Sequence, residues 1–435
     1  MTSRWVVSLA SILAAANFAF GQVEEVQPVA APDEVLGSGS QNEVGNQAKS
    51  TLDAPYSSYF NGLPFTGPGA FSVQPEYMLW FLRGSRAIFP ISTTDIFGTT
   101  IANLGEIGDT QVGQGPVSGG RLTFGYWEME SNPWIPERSI KTLGSEMRLS
   151  FVGSRGVDFM ADSAANLSRP FFDVNNRIVS AFLVAAPGIA SGTITGHGNA
   201  NVWSAEVNVW KNIYYNKPGT TFAIDVMAGF RFVDANSGID VNSISAFNQT
   251  IAAGSPFAPF AGNRLQVQDS FATRNYFYGG QIGIKGQAWL IDFMRVEGSL
   301  RLALGNTSQD LIINGSQVRT FADGRTAISN AGLFALASNI GTHHNNVFSQ
   351  LPEGDLKALW PIGDHLTFSV GFSALYSNKV LRAVDQIDRN LDITQIPNFP
   401  AAAGATPTGL GRPGVFLQRS DLWVLGISFG VEVKW

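Results

Sequence analysis

Charged residues recur at every second position in several segments of this chain, opposite rows of apolar residues. In one such segment Glu146 and Arg148 alternate with Met147 and Leu149. Because side chains two positions apart lie on the same face of a β-strand, each segment carries its charges on one face. Charges that face each other can pair and hold strands together, or they can line a polar path for solutes. The charges placed in this way are six basic and five acidic residues: Arg121, Arg148, Arg231, Arg295, Arg301 and Lys434, and Glu146, Glu206, Asp225, Glu297 and Glu432.

The four histidines do not form a catalytic or metal-binding pattern. His343 and His344 are adjacent, and two adjacent imidazoles do not share a face as metal ligands on one helix would. His197 and His365 have no acidic residue at a spacing that suggests a catalytic pair. We therefore predict no enzyme activity, no catalytic residue, no metal site and no cofactor. A Ser, His and Asp arrangement assembled from distant outer loops would make a hydrolase at the rim, and this alternative stays open.

The segment 422–435 indicates which kind of element positions these charges. Its odd-numbered residues form an unbroken apolar face with Trp423 and Trp435 at the ends, while Glu432 and Lys434 lie on the other face. A transmembrane β-strand takes about 9–11 residues, and aromatic residues border the apolar band of a membrane barrel on both sides. We therefore predict a membrane-spanning strand. A strand of a soluble β-sandwich would show the same alternation and is the alternative.

The same period-two alternation returns along the chain from residue 71 onwards and predicts ten strands. The connections between them alternate between long and short, as in outer-membrane barrels with long outer loops and short periplasmic turns. The predicted fold is therefore an all-β, antiparallel, up-and-down transmembrane β-barrel. The predicted strands are 73–83, 119–127, 144–152, 202–210, 222–232, 269–284, 291–304, 347–360, 366–376 and 422–435.

Long gaps in the pattern leave room for more than ten strands. Two gaps, 153–201 and 305–346, are each long enough for a further hairpin, and Phe171–Thr195 is the better candidate. We therefore expect about 12 strands, within a range of ten to fourteen. The eighth predicted strand has the weakest pattern, since Pro352 and Gly354 interrupt it. A barrel of about eight strands is filled by side chains and one of 16–18 encloses a water channel, so a narrow or gated pore is the most that this count supports.

The first 70 residues differ in composition from the rest. Residues 1–21 combine Arg4, a short apolar run and a small-residue cleavage site before Gln22, which is typical of a secretory signal peptide. Residues 22–70 contain six acidic residues and one Lys among Pro, Gly, Ser and Gln, and are predicted to be a disordered periplasmic leader. A plug that folds inside the barrel is the alternative. The barrel is predicted to occupy residues 71–435.

The composition of the chain excludes several classes of protein. The chain has no Cys, so disulfides and cysteine-ligated metals are excluded. Its net charge of −6 argues against nucleic acid as a partner, because a basic patch or stripe would be expected. No segment offers 18 uninterrupted apolar residues, so a helical membrane protein is not expected either.

Motifs spread over residues 71–435 carry a resemblance to known proteins. They lie at 76–84, 118–127, 169–172, 228–232, 269–283, 303–307, 338–341, 352–353 and 385–388. Together they resemble the putative beta-barrel porin family, the seventh of that series, an outer-membrane group of diderm bacteria; Thr273–Gly283 is the most specific match. The chain departs from the family where Arg382, Ala383 and Val384 stand in place of Arg-Pro-Gly, which puts the shape of the last long loop in doubt.

A second resemblance concerns the C-terminal strand. The pattern Ser428-x-Gly430-x-x-Val433-x-Trp435 resembles the C-terminal signal by which bacterial outer-membrane barrels are recognised for insertion. This resemblance implies that the barrel-assembly machinery is a partner. The other expected partners are outer-membrane lipid and small solutes.

These observations predict an exported protein of the bacterial outer membrane that acts as a porin-like passive channel for small solutes. The eleven charged residues named above would line its lumen. One alternative is a structural or adhesive barrel with a closed lumen and functional outer loops, and a less favoured one is the rim hydrolase. The solute, the oligomeric state and the role of the outer loops do not follow from the sequence.

Overall fold

The computed structural model describes residues 69–82, 85–86, 111–112, 115–131, 139–163, 166–214, 222–291, 293–363, 365–399, 406 and 409–435. The predicted signal peptide and all but the last two residues of the predicted leader lie outside these ranges. The described residues contain no helix with the length and hydropathy of a membrane span. Their strands are β1 (Gly69–Leu82), β2 (Ser85–Arg86), β3 (Gln111–Val112), β4 (Gly115–Ser131), β5 (Ser139–Ser163), β6 (Leu167–Asp173), β7 (Ile178–Ala185), β8 (Ala190–Tyr214), β9 (Phe222–Phe247), β10 (Arg264–Ile291), β11 (Met294–Thr320), β12 (Thr326–Ser329), β13 (Gly341–Ile362), β14 (Leu366–Leu381), β15 (Asn390–Leu391) and β16 (Arg419–Lys434).

Ten of the described strands close into an antiparallel ring. The ring follows chain order as β1-β4-β5-β8-β9-β10-β11-β13-β14-β16, and it closes where β16 pairs with β1 and Phe429 lies opposite Tyr77. A closed ring leaves no open sheet edge, which is what a β-structure in lipid requires. The all-β up-and-down barrel predicted from the sequence is therefore confirmed. Its ten strands are the lower limit of the predicted range and two fewer than its centre.

The hairpin predicted within Phe171–Thr195 forms, but it does not join the ring. β6 and β7 pair with each other and β15 pairs with β6, which makes a separate three-stranded sheet. Phe171 on β6 and Phe182 on β7 are buried in an apolar core formed with the outer loops. Alternation alone does not distinguish a strand that serves such a core from one that faces lipid. This hairpin therefore adds no strand to the ring, whose ten strands lie within the predicted range of ten to fourteen.

The apolar face of β16 points away from the ring. Leu425, Ile427 and Phe429 are 37–46% exposed, whereas Val424 and Ser428 on the inward face are buried. A soluble sandwich would cover this apolar face with a second sheet, and no described residue covers it. The same exposure recurs on the other ring strands, at Phe124, Met147, Phe151, Phe230, Ile282, Ile284, Leu300, Leu304, Leu356 and Phe372. These residues form the outward apolar belt of a membrane barrel.

Aromatic pairs border this belt at both ends. Phe71 and Tyr126 have ring centroids 4.8 Å apart at the end of the barrel with the short connections. Tyr376 and Trp423 lie 4.6 Å apart at the end with the long connections. Such girdles lie at the two interfaces of a membrane barrel, and the short turns lie on the periplasmic side.

Several strands continue beyond the belt on the side of the long loops. β9, β10 and β11 have 26, 28 and 27 residues, whereas about 9–11 are enough to cross the bilayer. Along β9 the alternation inverts: Arg231 is buried and Phe230 exposed in the first half, whereas Ile239 is buried and Asp240 exposed in the second. Lipid requires an apolar outer face and water a polar one, so the inversion marks where the strand leaves the membrane. The predicted strands end near this boundary.

Candidate functional site

Two neighbouring carboxylates of β13, Glu353 and Asp355, lie inside the lumen among four arginines from four other strands. Arg121 of β4 and Arg301 of β11 donate to Asp355 over 3.1 Å and 2.7 Å. Arg148 of β5 donates to Glu353 over 3.4 Å. The Nη1 atom of Arg231, on β9, lies 2.5 Å from Oε2 of Glu353. Because β4 and β5 lie opposite β13 in the ring, these ion pairs span the lumen.

Further polar groups extend this cluster around the barrel wall. Lys357 of β13 lies 2.9 Å from Glu76 of β1, and neither side chain is more than 5% exposed. Gln281 of β10 donates a 2.9 Å hydrogen bond to Glu206 of β8. We call the whole set the charged layer. Its charged members are Glu76, Arg121, Glu146, Arg148, Glu206, Arg231, Arg301, Glu353, Asp355 and Lys357.

The charged layer neutralises itself, with five basic and five acidic side chains. Each of them lies within 3.8 Å of at least one opposite charge. Removing two charges from water costs several kcal/mol per ion, and only good geometry with several partners offsets that cost. The arrangement is therefore suited to bracing the wall of the barrel from within.

Buried apolar clusters lie on both sides of the charged layer. Towards the outer end, Met78, Trp80, Val202 and Phe277 belong to one buried apolar cluster. Towards the periplasmic end, Trp127, Trp210 and Met227 form another. A cavity of about 20 Å³ beside Arg121, Arg231 and Glu353 has room for about one water molecule. The charged side chains of this layer are at most 13% exposed.

The structure divides the residues predicted to line the lumen into two groups. Arg121, Glu146, Arg148, Glu206, Arg231 and Arg301 belong to the charged layer. The other five, Asp225, Arg295, Glu297, Glu432 and Lys434, lie nearer the periplasmic end of the strands. There Lys434 pairs with Glu432 over 2.9 Å, and Asp225 accepts a 2.7 Å hydrogen bond from Asn212.

The sequence prediction missed the centre of the charged layer. Pro352 and Gly354 made the eighth predicted strand look interrupted, but β13 runs without a break from Gly341 to Ile362. Pro352 and Gly354 lie on the outward face, whereas Leu351, Glu353, Asp355, Lys357 and Leu359 all point inward and are buried. The period-two row of Glu353, Asp355 and Lys357 was the signal that could have identified them. Glu76 was missed as well, although it lies inside the first predicted strand.

Two of the histidines have carboxylate partners that their spacing in the sequence did not indicate. His197 Nδ1 lies 2.5 Å from Oδ1 of Asp158 across β5 and β8, and the side chains are 50% and 81% exposed. His344 Nδ1 lies 2.5 Å from Oδ1 of Asp310. Antiparallel pairing of β5 with β8 brings Asp158 beside His197 although the two residues are 39 positions apart, so their spacing in the sequence did not indicate this contact. Within the described ranges, no group of three or more His, Asp or Glu residues could hold a metal ion.

The outer loops and the outer ends of the strands form a folded layer with its own apolar core, which we call the outer layer. At its centre Arg169 donates a 2.6 Å hydrogen bond to Asp269, and both side chains are at most 1% exposed. The other carboxylate oxygen of Asp269 accepts from the backbone N–H groups of Leu333, Phe334 and Ala335. This carboxylate therefore ties β6, β10 and the segment before β13 together.

The last long loop is held to the outer layer by similar contacts. Asp388 accepts hydrogen bonds from Gly414 N–H over 2.7 Å and from Arg412 over 3.0 Å. Arg389 donates to the Pro170 carbonyl over 3.0 Å. Burial lowers the pKa of Arg389 to about 10, so this side chain still carries its charge at neutral pH.

Comparison with known proteins gives one family and several weak structural similarities. The model of the family described as Putative beta barrel porin-7 (BBP7) matches residues 73–435. A comparison with curated proteins gave no significant match. Among solved structures, the chain is similar to the outer membrane protease OmpT from Escherichia coli, with 8% identity, 86% of this chain and 99% of that chain covered, and a TM-score of 0.35. It is also similar to a major outer membrane protein from Thermus thermophilus, with 10% identity, coverages of 85% and 100%, and a TM-score of 0.24.

Proposed function

The chain belongs to the Putative beta barrel porin-7 family of outer-membrane barrels, and on that premise we propose that its barrel is closed to solutes and serves to hold the outer layer at the cell surface. The observation that carries this proposal is the charged layer, where Arg121, Arg148, Arg231 and Arg301 surround Glu353 and Asp355. In this proposal the protein is a structural or adhesive barrel and not an enzyme.

The energetics of the charged layer support a closed lumen. A solute could pass only if the guanidinium groups moved away from Glu353 and Asp355. Separating one partner from a buried ion pair costs about 3–5 kcal/mol, and Asp355 alone has ion pairs with three arginines. Spontaneous opening of a wide path would therefore be rare.

The outer layer supports a role at the cell surface. It has a buried apolar core and a fully buried ion pair, Arg169 with Asp269. Loops that are packed in this way hold a defined shape, which a surface for recognition or adhesion requires. We further propose that lipid contacts the apolar belt, and that β16 is the strand recognised by the barrel-assembly machinery.

The passive channel expected from the sequence is the rival function, and the family name and the polar inward faces favour it. It would require the charged layer to rearrange. A rim hydrolase would require a nucleophile beside His197 or His344. Among hydrogen bonds within the described ranges, these two rings contact only Asp158 and Asp310.

Conductance in a planar lipid bilayer separates the closed barrel from the channel. We expect the refolded protein to insert without producing discrete current steps. In the double variant Glu353→Ala, Asp355→Ala, the four arginines lose their two central counter-charges, and water should enter between them, which would give transient currents. Glu128→Gln, a change to an exposed acid of β4, is the control and should stay silent. Regular steps of constant size from the unmodified protein would refute the closed barrel and establish the channel.

A further inference from the structure

Four basic side chains gather at the periplasmic end of the lumen, below the charged layer. Lys141 and Lys285 approach the same indole: their Nζ atoms lie 5.0 Å and 5.3 Å from the ring centroid of Trp127. The two ammonium groups are therefore no more than about 10 Å apart. Lys141 also interacts electrostatically with Lys434 and Arg295, and with the carboxylate of Glu432. We call this set, Lys141, Lys285, Arg295 and Lys434 with Trp127 and Trp210, the basic mouth.

The three acidic residues near the basic mouth already have partners, two of them within the basic mouth itself. Asp225 accepts from Asn212 over 2.7 Å and lies 3.8 Å from Lys285. Glu297 accepts from Gln287 over 2.9 Å, and Glu432 pairs with Lys434 over 2.9 Å. Among the described residues, neither Lys141 nor Arg295 has a carboxylate within ion-pair distance. The basic mouth therefore has four basic side chains against three acidic ones, an excess of one positive charge.

Two buried N–H donors in the same region also lack an acceptor. Nε1 of Trp210 and Nε of Arg295 are buried and have no hydrogen-bond partner among the described residues. Trp210 is 1% exposed, and the Nζ atom of Lys285 lies 4.2 Å from its ring centroid. A buried donor without an acceptor costs about 1–3 kcal/mol. Like charges held close together add to that cost, and an anion in the basic mouth would remove both penalties.

A β-bulge produces this arrangement. The register between β4 and β5 shifts between Trp127 and Met129, so Lys141 occupies an inward position that an unbroken alternation from Glu146 would assign to the outward face. Bulges recur beside functional sites because they redirect a side chain. Lys141 is brought over Trp127 in this way.

From these observations we propose that the basic mouth is a binding site for a small oxyanion, a phosphate or carboxylate group that enters from the periplasmic side. Lys141 and Arg295, which have no carboxylate within ion-pair distance among the described residues, supply the positive charge, and the N–H groups of Trp210 and Arg295 supply donors to its oxygen atoms. Lys285 and Trp127 form the inner wall. Because the charged layer closes the lumen beyond this site, the oxyanion binds there and does not pass through.

Isothermal titration of the full-length refolded protein with inorganic phosphate, at constant ionic strength set by sodium chloride, tests this site. We expect one phosphate to bind per chain. Lys141→Gln and Arg295→Gln should each weaken binding about tenfold, since each removes one charge-assisted contact. Trp210→Phe keeps the ring, removes the N–H donor and should weaken binding less. Lys211→Gln is the matched control, because Lys211 is an exposed lysine on the outer face at the same end of β8.

The other outcomes would each overturn the proposal. If phosphate produced no heat of binding, or if sodium chloride alone produced the same heat, phosphate would have no specific site. Binding that survives both Lys141→Gln and Arg295→Gln would place the site elsewhere. An equal loss of phosphate affinity in Lys211→Gln would mean that phosphate responds to the overall charge of the periplasmic end and not to a specific site. Circular dichroism of each variant establishes that the barrel is folded before titration.

Discussion

Glu353 and Asp355 concentrate the negative charge of the lumen at two successive inward positions of one strand. Two carboxylates so close together repel each other, and four arginines from other strands offset that repulsion. Three of these arginines lie on β4, β5 and β9, which do not pair with β13, and Arg301 lies on its neighbour β11, so the two carboxylates connect β13 to distant strands of the ring as well as to an adjacent one. The contribution of these residues to stability therefore depends on the closed ring and not on β13 itself.

Replacement of Glu353 by Ala leaves Arg231 buried without its nearest counter-charge and removes one of the two carboxylates 3.4 Å from Arg148. We expect the free energy of unfolding to fall by about 3–5 kcal/mol, the typical cost of breaking a buried pair from one side. Urea unfolding of the protein in lipid vesicles, followed by tryptophan fluorescence, measures this change. The exposed control Glu128→Gln should stay within about 0.5 kcal/mol of the unmodified protein. Equal stability of the two variants would show that the charged layer does not brace the barrel.

A single β-strand of this barrel passes from lipid into water along its length. In β10, Ile282 and Tyr278 point outward into the belt, whereas Gln268 and Arg274 occupy outward positions nearer the outer loops. The inward face of β10 changes in the opposite sense. It carries the charged Lys285 towards the periplasmic end and buried apolar residues where the strand enters the outer layer. The hydrogen-bonded ladder continues unchanged through the boundary. The position of the membrane boundary is therefore determined by the side chains of the strand and not by a change in its backbone.

The stability cost of a charge placed on the outward face of β10 should depend on whether the position lies on the lipid side or on the water side of this boundary. We expect Ile282→Arg to destabilise the protein by about 2–4 kcal/mol, because an arginine near the middle of the lipid layer carries that cost. Gln268→Arg, on the same face of the same strand, should change stability by about 0.5 kcal/mol or less, because that position faces water. Urea unfolding of the two variants in lipid vesicles measures both changes in stability. Similar penalties at both positions would contradict the boundary assigned by the inverted alternation.

The whole described barrel has three layers along its axis: the basic mouth, the charged layer with its apolar flanks, and the outer layer. The outer layer has an apolar core of its own and a buried ion pair between Arg169 and Asp269. The charged layer lies at a different level and shares no ion pair with it among the described residues. The outer layer should therefore be able to lose its packing while the membrane-spanning ring stays folded.

The variant Asp269→Asn tests whether the outer layer loosens by itself. The change leaves Arg169 buried without its counter-charge, so we expect a local loss of about 3–5 kcal/mol. Trypsin should then cut after Arg325, in the segment between β11 and β13, several times faster, while circular dichroism of the barrel stays the same. Asp323→Asn is the control, since its pair with Arg325 is largely exposed and worth at most about 1 kcal/mol. Loss of the whole barrel in Asp269→Asn would mean that the two layers unfold together.

The barrel and many of its inward charges could be predicted from local sequence patterns. The alternation of Arg231 with Phe230 or of Ser428 with Phe429 is a local property, because a strand with one face to lipid and one to the lumen needs two kinds of residue in turn. That is why the ring strands, the outward face of β16 and the polar inward rows could be read from the chain alone.

Which residues meet, and how many strands close the ring, became known only from the folded chain. Arg121 and Asp355 are 234 positions apart and pair because the ring brings β4 opposite β13. The hairpin of β6 and β7 has the alternation of a ring strand but packs on the outer core, and one bulge in β5 turns Lys141 inward. Register, closure and bulges depend on long-range pairing between strands, which the pattern of a single segment does not contain.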